Sequence, residues 1–327
     1  MNKTVRESIS RIGYAIEAVK ISQAFESAGL GVAILKGAVL GEVAYGGVEN
    51  RASVDIDLLV KPGELRRAGF LLEGRGYRMV GGSPSRLAEG CNARGGAIPT
   101  EVSFRNEKTG GMVELHPRIA PLAMMPAFDE DRIWDRLEPV RICGVPTITT
   151  GTIDTLLHLA FNGLKHGWCS VRYATDFAKY AQAKAGPGDL EQVLSESHAR
   201  GCRRMVLIAA WLAVRTGEWA LPDQFRQALA ADPQAVTIAR RYAAAMDQDP
   251  DAEFPMLQRM FGMRHSWDSR SLQARWLARQ VFTPNPEDYG WVRLPAFLGV
   301  LYYFIRPVRL TWQWLPRPVV ARFKHID

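Results

Sequence analysis

Cysteine is scarce in this chain and never clustered. Cys91, Cys143, Cys169 and Cys202 stand far apart, and no two are separated by only two residues. That spacing speaks against a zinc site or a disulfide framework and makes a reducing cytoplasm the expected compartment. No uncharged apolar run reaches the roughly 20 residues that span a bilayer. The opening MNKTVRESISRIGYAIEAVK reads as a polar amphipathic helix without the apolar core of a secretory signal. Internal repeats and long low-complexity tracts are missing as well. What is present in excess is positive charge, with 41 Lys and Arg against 34 Asp and Glu. Most of that surplus lies beyond Met263, where ten basic residues meet four acidic ones.

The remaining composition is that of an ordinary globular protein. With 327 residues, 47% of them hydrophobic, the chain can bury a sizeable core and is long enough for two domains. Up to about Pro146, helical and strand patterns alternate. Apolar spacing predicts a helix over 5–27, a short buried strand at VAIL (Val32 to Leu35), and a helix over 38–45 broken by Gly46-Gly47. Lys61-Pro62-Gly63 reads as a turn and 64–75 as a helix ending at Gly76. Gly81 to Ala97 reads as a loop rich in Gly and Ser, and EVSFRN with MVELHP as a hairpin. From Thr152 the patterns are almost all helical: 153–163, 171–184, 190–200, 203–216 and 233–246. A boundary is therefore expected in RICGVPTITTG near residue 148. It would separate an α/β domain (1–148) from a helical domain (149–327).

One strand is anomalous. In RASVDIDLLV, Val54, Ile56, Leu58 and Val60 alternate onto one apolar face, which puts Asp55 and Asp57 together on the other. Strands are depleted in Asp, and neighbouring like charges repel. A divalent cation would neutralise the pair, and hard oxygen donors suit magnesium. MVELHPRI supplies a third carboxylate, Glu114, with His116 two residues on and on the same strand face. Three such carboxylates on adjacent strands could hold one or two ions against a triphosphate.

The run from ILKGAVLGEVAYGG through ENRASVDIDLLV to GRGYRM, followed by MVELHPRI, resembles the DNA polymerase β-like nucleotidyltransferase superfamily. It is most similar to a little-characterised bacterial branch that combines LKG, R-x-x-x-DIDLLV and ELH with a helical second domain. The likeness covers residues 30–118 and continues more loosely through Leu156 to Tyr180. It implies an α+β fold: a small mixed sheet, then an all-helical C-terminal domain. It also implies transfer of a nucleoside monophosphate, most simply AMP from ATP, to a hydroxyl with release of pyrophosphate. Asp55, Asp57 and Glu114 would be the metal-binding and catalytic carboxylates, with Mg2+ as cofactor. The superfamily has a Gly-Ser pair at the start of the helix before the Asp strand, and here Lys36-Gly37 stands instead. Gly37 still allows close backbone approach at a helix start, and Lys36 could add a charge to the triphosphate. Pro117 follows His116 where relatives have Trp.

Further candidates for binding nucleotide or acceptor are Arg51, Ser53, His116, His166, Arg172 and Asp176. Each has a plainer reading. Arg51 could pair with Glu49 or Asp55, Ser53 could start a turn, and Arg172 could pair with Asp176 across one helical turn. Trp168 is expected near the cleft beside His166, while His158, Trp211, Trp219, Trp267 and Trp276 are expected in the core. Nucleic acid is not an expected partner. For the basic, aromatic tail (Leu294 to Phe323) the simplest expectation is a helix with aromatics on the core and arginines outward. The other is contact with an anionic membrane surface or a peptide. The acceptor is open. Two other classes also stay open: a nucleotide-binding or antitoxin-like partner without turnover, and a tailoring factor docked to a membrane or peptide.

Overall fold

The computed structural model describes residues 3–87, 99–120, 128, 130–217, 219–248 and 256–314. Most of the loop expected over 81–97, including Cys91, lies outside these residues, as does the tail from 315 onward. The fold is α+β. Its N-terminal part is a seven-stranded mixed sheet in the order β3-β4-β5-β2-β1-β7-β6. The strands are β1 (Val32–Ile34), β2 (Asp55–Val60), β3 (Tyr77–Met79), β4 (Val102–Asn106), β5 (Met112–His116), β6 (Glu138–Ile142) and β7 (Val145–Thr149). Around and between them run α1 (Lys3–Ser27), α2 (Ala38–Tyr45), α3 (Leu65–Gly74) and α4 (Glu130–Asp135). The stretch 141–151, where the boundary is expected, is largely β7, which pairs in parallel with β1 through Ile34 and Thr149.

Alternation decides what each face of the sheet carries. Ile56, Leu58 and Val60 of β2 join Val113 and Leu115 of β5 in one apolar cluster with α1 and α3. Val54, expected on that face, precedes the strand and is 72% exposed. The opposite face carries Ala33, Leu35 and Leu59, which belong to a second cluster built mainly from the helices after residue 151. Those helices are α5 (Thr152–Lys165), α6 (Val171–Lys184), α7 (Pro187–Ala199), α8 (Arg203–Arg215), α9 (Asp223–Ala230) and α10 (Pro233–Gln248). Trp219, Trp267 and Trp276 are buried in this cluster and Trp211 packs against it. Trp168 belongs there too, fully buried, so its expected cleft position is corrected. Its ring lies flat against Gly163, where any side chain would collide with it.

The chain continues through α11 (Met256–His265), α12 (Arg270–Phe282), α13 (Pro286–Trp291) and α14 (Tyr302–Trp314), the last two joined by a 3-10 segment at Ala296–Leu301. They lie within the region expected to be helical (149–327), and α14 falls in the tail where a helix is expected, although the separate extents of α11, α12 and α13 are not predicted. Among the described residues no helix is long and apolar enough to cross a membrane.

Candidate active site

Strand pairing brings the carboxylates together. β2 and β5 are parallel neighbours, and Asp57 is in register with Glu114, Asp55 with Met112 and Leu59 with His116. Asp55 and Asp57 therefore share a face with Glu114 and His116. Leu59, on that same face, joins the helical cluster, so the acidic group looks toward the helices. β1 runs antiparallel to β2 and ends beside it, with the Leu35 N–H donating to the Asp57 carbonyl at 3.1 Å. Lys36 and Gly37 thus leave β1 at the acidic end of β2.

Asp57 is the hub. It is buried, and His116 Nε2 lies 2.9 Å from its Oδ1, with Lys36 Nζ 3.2 Å from the same oxygen. His116 Nε2 also lies 3.6 Å from Glu114 Oε2. Burial pushes the Asp57 carboxyl upward, but the His116 hydrogen bond and the Lys36 charge outweigh it and hold the group well below the ordinary range. Glu114 is held low chiefly by its His116 contact. Asp55 goes the other way. Burial and the neighbouring Asp57 charge raise it, with Lys36 only partly compensating. Burial opposes charge on His116 and Lys36, yet the carboxylates around them raise both.

One ligand atom each from Asp57, Glu114 and His116 lies within 4.8 Å of the others, a spacing that could hold a metal ion. This set takes in His116, expected as a nucleotide contact, and leaves out Asp55, expected as a ligand. Asp55 is two residues along the same strand face, so the oxygen donors still run in one row.

Gly37 has a conformation that its neighbours require. Its φ of 60° and ψ of −107° lie where an L-residue is strained, and a Cβ there would stand 2.9 Å from Ser53 Oγ. The Ser53 hydroxyl donates to the Asp55 carbonyl at 3.0 Å, which ties that loop to the start of β2. Arg51 grips the same place. Its Nε and Nη2 donate to the two carboxylate oxygens of Asp176 at 2.9 and 2.8 Å, and Nη1 reaches the Gly37 carbonyl at 3.4 Å. The Tyr45 hydroxyl donates to Asp176 at 2.7 Å. Neither expected pairing of Arg51, with Glu49 or Asp55, forms, and Asp176 is not paired with Arg172. A bidentate fork across 125 residues takes their place: Asp176 is buried, Arg172 is exposed, and the Arg51 guanidinium meets both Asp176 oxygens.

His166 and Arg172 form a second group, around Tyr173. The His166 ring stacks on Tyr173 with centroids 5.2 Å apart, and the exposed Arg172 guanidinium lies 5.6 Å from that ring. Burial, then the Lys165 and Lys36 charges, lowers His166 to about 4. His158 is buried as expected, but Lys36, His116 and Asp57 all act on it, and it is lowered to about 3, mainly by burial. Sequence reasoning missed three participants. Tyr45 sits at the end of α2 with no motif around it, and Arg11 and Tyr14 of α1 line a small cavity with Lys36, Gly37, Ser53 and Asp55. Helical periodicity in α1 marks its apolar stripe but not the polar residues beside it.

The arrangement is a row of carboxylates on rigid strands, a positive-φ glycine at a helix start, and a lysine between them. Such a row can hold a cation, and free N–H groups at the start of α2 can meet an anion. A family model described as an uncharacterised nucleotidyltransferase matches residues 5–217. No curated protein matches the chain.

Proposed function

The chain belongs to this nucleotidyltransferase family, and on that premise we propose that it is a metal-dependent enzyme of the polymerase β-like superfamily, moving a nucleoside monophosphate to a hydroxyl. The simplest donor is ATP. The observation that carries this reading is the register of Asp57 against Glu114 on adjacent parallel strands, with Asp55 on the same face. Asp55, Asp57 and Glu114 offer the all-oxygen set that magnesium prefers, and His116 then orients Asp57 through its 2.9 Å hydrogen bond. With His116 included, the set also suits ions that accept nitrogen. When bound, the ion would supply countercharge for the triphosphate and for the departing pyrophosphate.

The chain's own groups divide the remaining work. Lys36 carries a charge that can turn from Asp57 to phosphate oxygens. Gly37 allows the backbone to approach the phosphates, and Arg51 holds that glycine by its carbonyl. Glu114, on the same strand face, either completes the metal set or, where it is not a ligand, accepts the acceptor hydroxyl's proton. The acceptor oxygen then bonds to the α-phosphorus as the bond to the β-phosphate's bridging oxygen breaks, and pyrophosphate leaves. In this reading residues 1–148 bind the nucleotide, and the helices from 149 wall the acceptor.

A second reading rests on the Lys36 and His116 contacts to Asp57. These already neutralise the buried carboxylate, as a nucleotide-binding partner without turnover would require. Calorimetric titration with a non-hydrolysable ATP analogue, with and without magnesium, separates the two. Magnesium-dependent binding lost in Asp55→Ala/Asp57→Ala supports the enzyme. Magnesium-independent binding favours the partner protein, and absence of binding by any of the four nucleoside triphosphates overturns both.

A further inference from the structure

α14 is built inside out. In a soluble protein, a surface helix turns its apolar stripe inward and its charges outward. Beyond the buried Tyr302 at its start, Arg306 and Arg309 are the buried residues, 9% and 3% exposed, while Phe304, Val308 and Trp312 are 67%, 60% and 63% exposed. The inward arginines are held by one buried carboxylate. Arg306 Nη1 donates to Asp288 at 3.0 Å and Arg309 Nε at 2.5 Å, and Arg309 Nη1 reaches Glu287 at 2.8 Å. The expectation of aromatics on the core and arginines outward is thus met only by Tyr302, which packs on Tyr289, and is reversed from Phe304 to Trp312. Phe304, Val308 and Trp312 recur every four residues, so they form one outward ridge. The preceding 3-10 segment extends it with Phe297 and Val300, 82% and 65% exposed.

The stretch that carries the ridge is basic in sequence. Between Ser269 and Trp314 there are six arginines and only two acidic residues, Glu287 and Asp288. Both acids are engaged by the two inward arginines, which leaves Arg270, Arg275, Arg279 and Arg293 uncompensated within this stretch. An exposed aromatic ridge in a stretch of net positive charge matches the interface of an anionic bilayer. Phe and Trp seat at headgroup depth, and arginines meet lipid phosphates. A folded protein partner would need acidic groups in a defined geometry. A lipid surface needs only the aromatic ridge and the net charge.

We propose that the Phe297–Trp312 ridge docks the protein peripherally on anionic lipid, holding it at the surface without spanning it. The inward Asp288 clamp fixes the helix with its aromatics outward. This stands apart from the nucleotidyl-transfer reading, since no residue of the ridge touches the carboxylate site. The test is vesicle co-sedimentation of the full chain. Phosphatidylcholine vesicles with and without 30% phosphatidylserine are compared at low and high salt, with wild type and Phe304→Glu/Trp312→Glu. The expected result is binding only to the anionic vesicles, at least tenfold weaker at high salt and at least tenfold weaker in the variant. Both substituted residues are exposed, and an unchanged circular dichroism spectrum shows that the variant is folded. Equal binding by variant and wild type overturns the proposal, as does no binding to anionic vesicles. A concentration-dependent dimer in sedimentation velocity that the variant abolishes, without vesicle binding, assigns the ridge to a second copy instead.

Discussion

Replacing Asp55 with asparagine is expected to stabilise the metal-free protein while removing its response to metal. Asp55 and Asp57 are two residues apart on one strand face, about 6.6 Å along the chain. At an effective dielectric near 20 their repulsion is about 2.5 kcal/mol. Lys36 and His116 offset part of it, and solvent screens the partly exposed Asp55. A net gain of about 0.5–1 kcal/mol is left, which for a chain of this size raises Tm by roughly 1–3 °C. The sign depends on pH. Burial and Asp57 raise Asp55 above its ordinary value of 3.8, so its charge destabilises the fold. That penalty is absent below the ordinary value and grows as pH rises through the folded one. The asparagine advantage therefore appears at pH 7 and vanishes near pH 3. Differential scanning calorimetry in EDTA and in 10 mM magnesium reads both effects. The reasoning fails if the variant melts more than 2 °C below wild type in EDTA, or if magnesium raises both melting points equally.

Three further outcomes follow from particular contacts. Asp176→Ala strands the buried Arg51 fork and is expected to cost about 3–5 kcal/mol in urea unfolding, whereas Arg51→Met/Asp176→Leu costs much less than the two single changes combined. Gly37→Ala meets both an unfavourable backbone region and Ser53 Oγ, for about 1–2 kcal/mol. Adding Ser53→Ala relieves only the clash, so partial recovery of Tm is expected. His116 is raised above 6.5 by Asp57 and Glu114 despite burial. Its stabilising contribution is complete below pH 6.5 and is lost as pH rises through the folded value. His116→Gln is expected to flatten unfolding free energy between pH 6.5 and 9, measured by urea titration.

Local pattern was enough to read many of the elements. The extents of α2 and α6 match the periodicity, and β5 follows from MVELH, because helix and strand repeats record which face is buried. Asp55, Asp57 and Glu114 stood out for the same reason, as charges where a strand should be apolar. The sequence could not say which residue each charge would meet. Arg172 lies four residues before Asp176, yet Asp176 meets Arg51, since a carboxylate buried between α2 and α6 takes the donor that the fold brings to it. Nor could the sequence separate Asp55 from Asp57. Their chemistry is identical, and only the fold decides that Asp55 is raised by burial and the Asp57 charge, while the His116 hydrogen bond and Lys36 hold Asp57 down. The reversal of α14 was hidden likewise. Its amphipathic spacing is visible in YYFIRPVRLTWQW, but periodicity is blind to which face turns inward. That is decided by Asp288, whose buried charge needs Arg306 and Arg309 more than the core needs another aromatic.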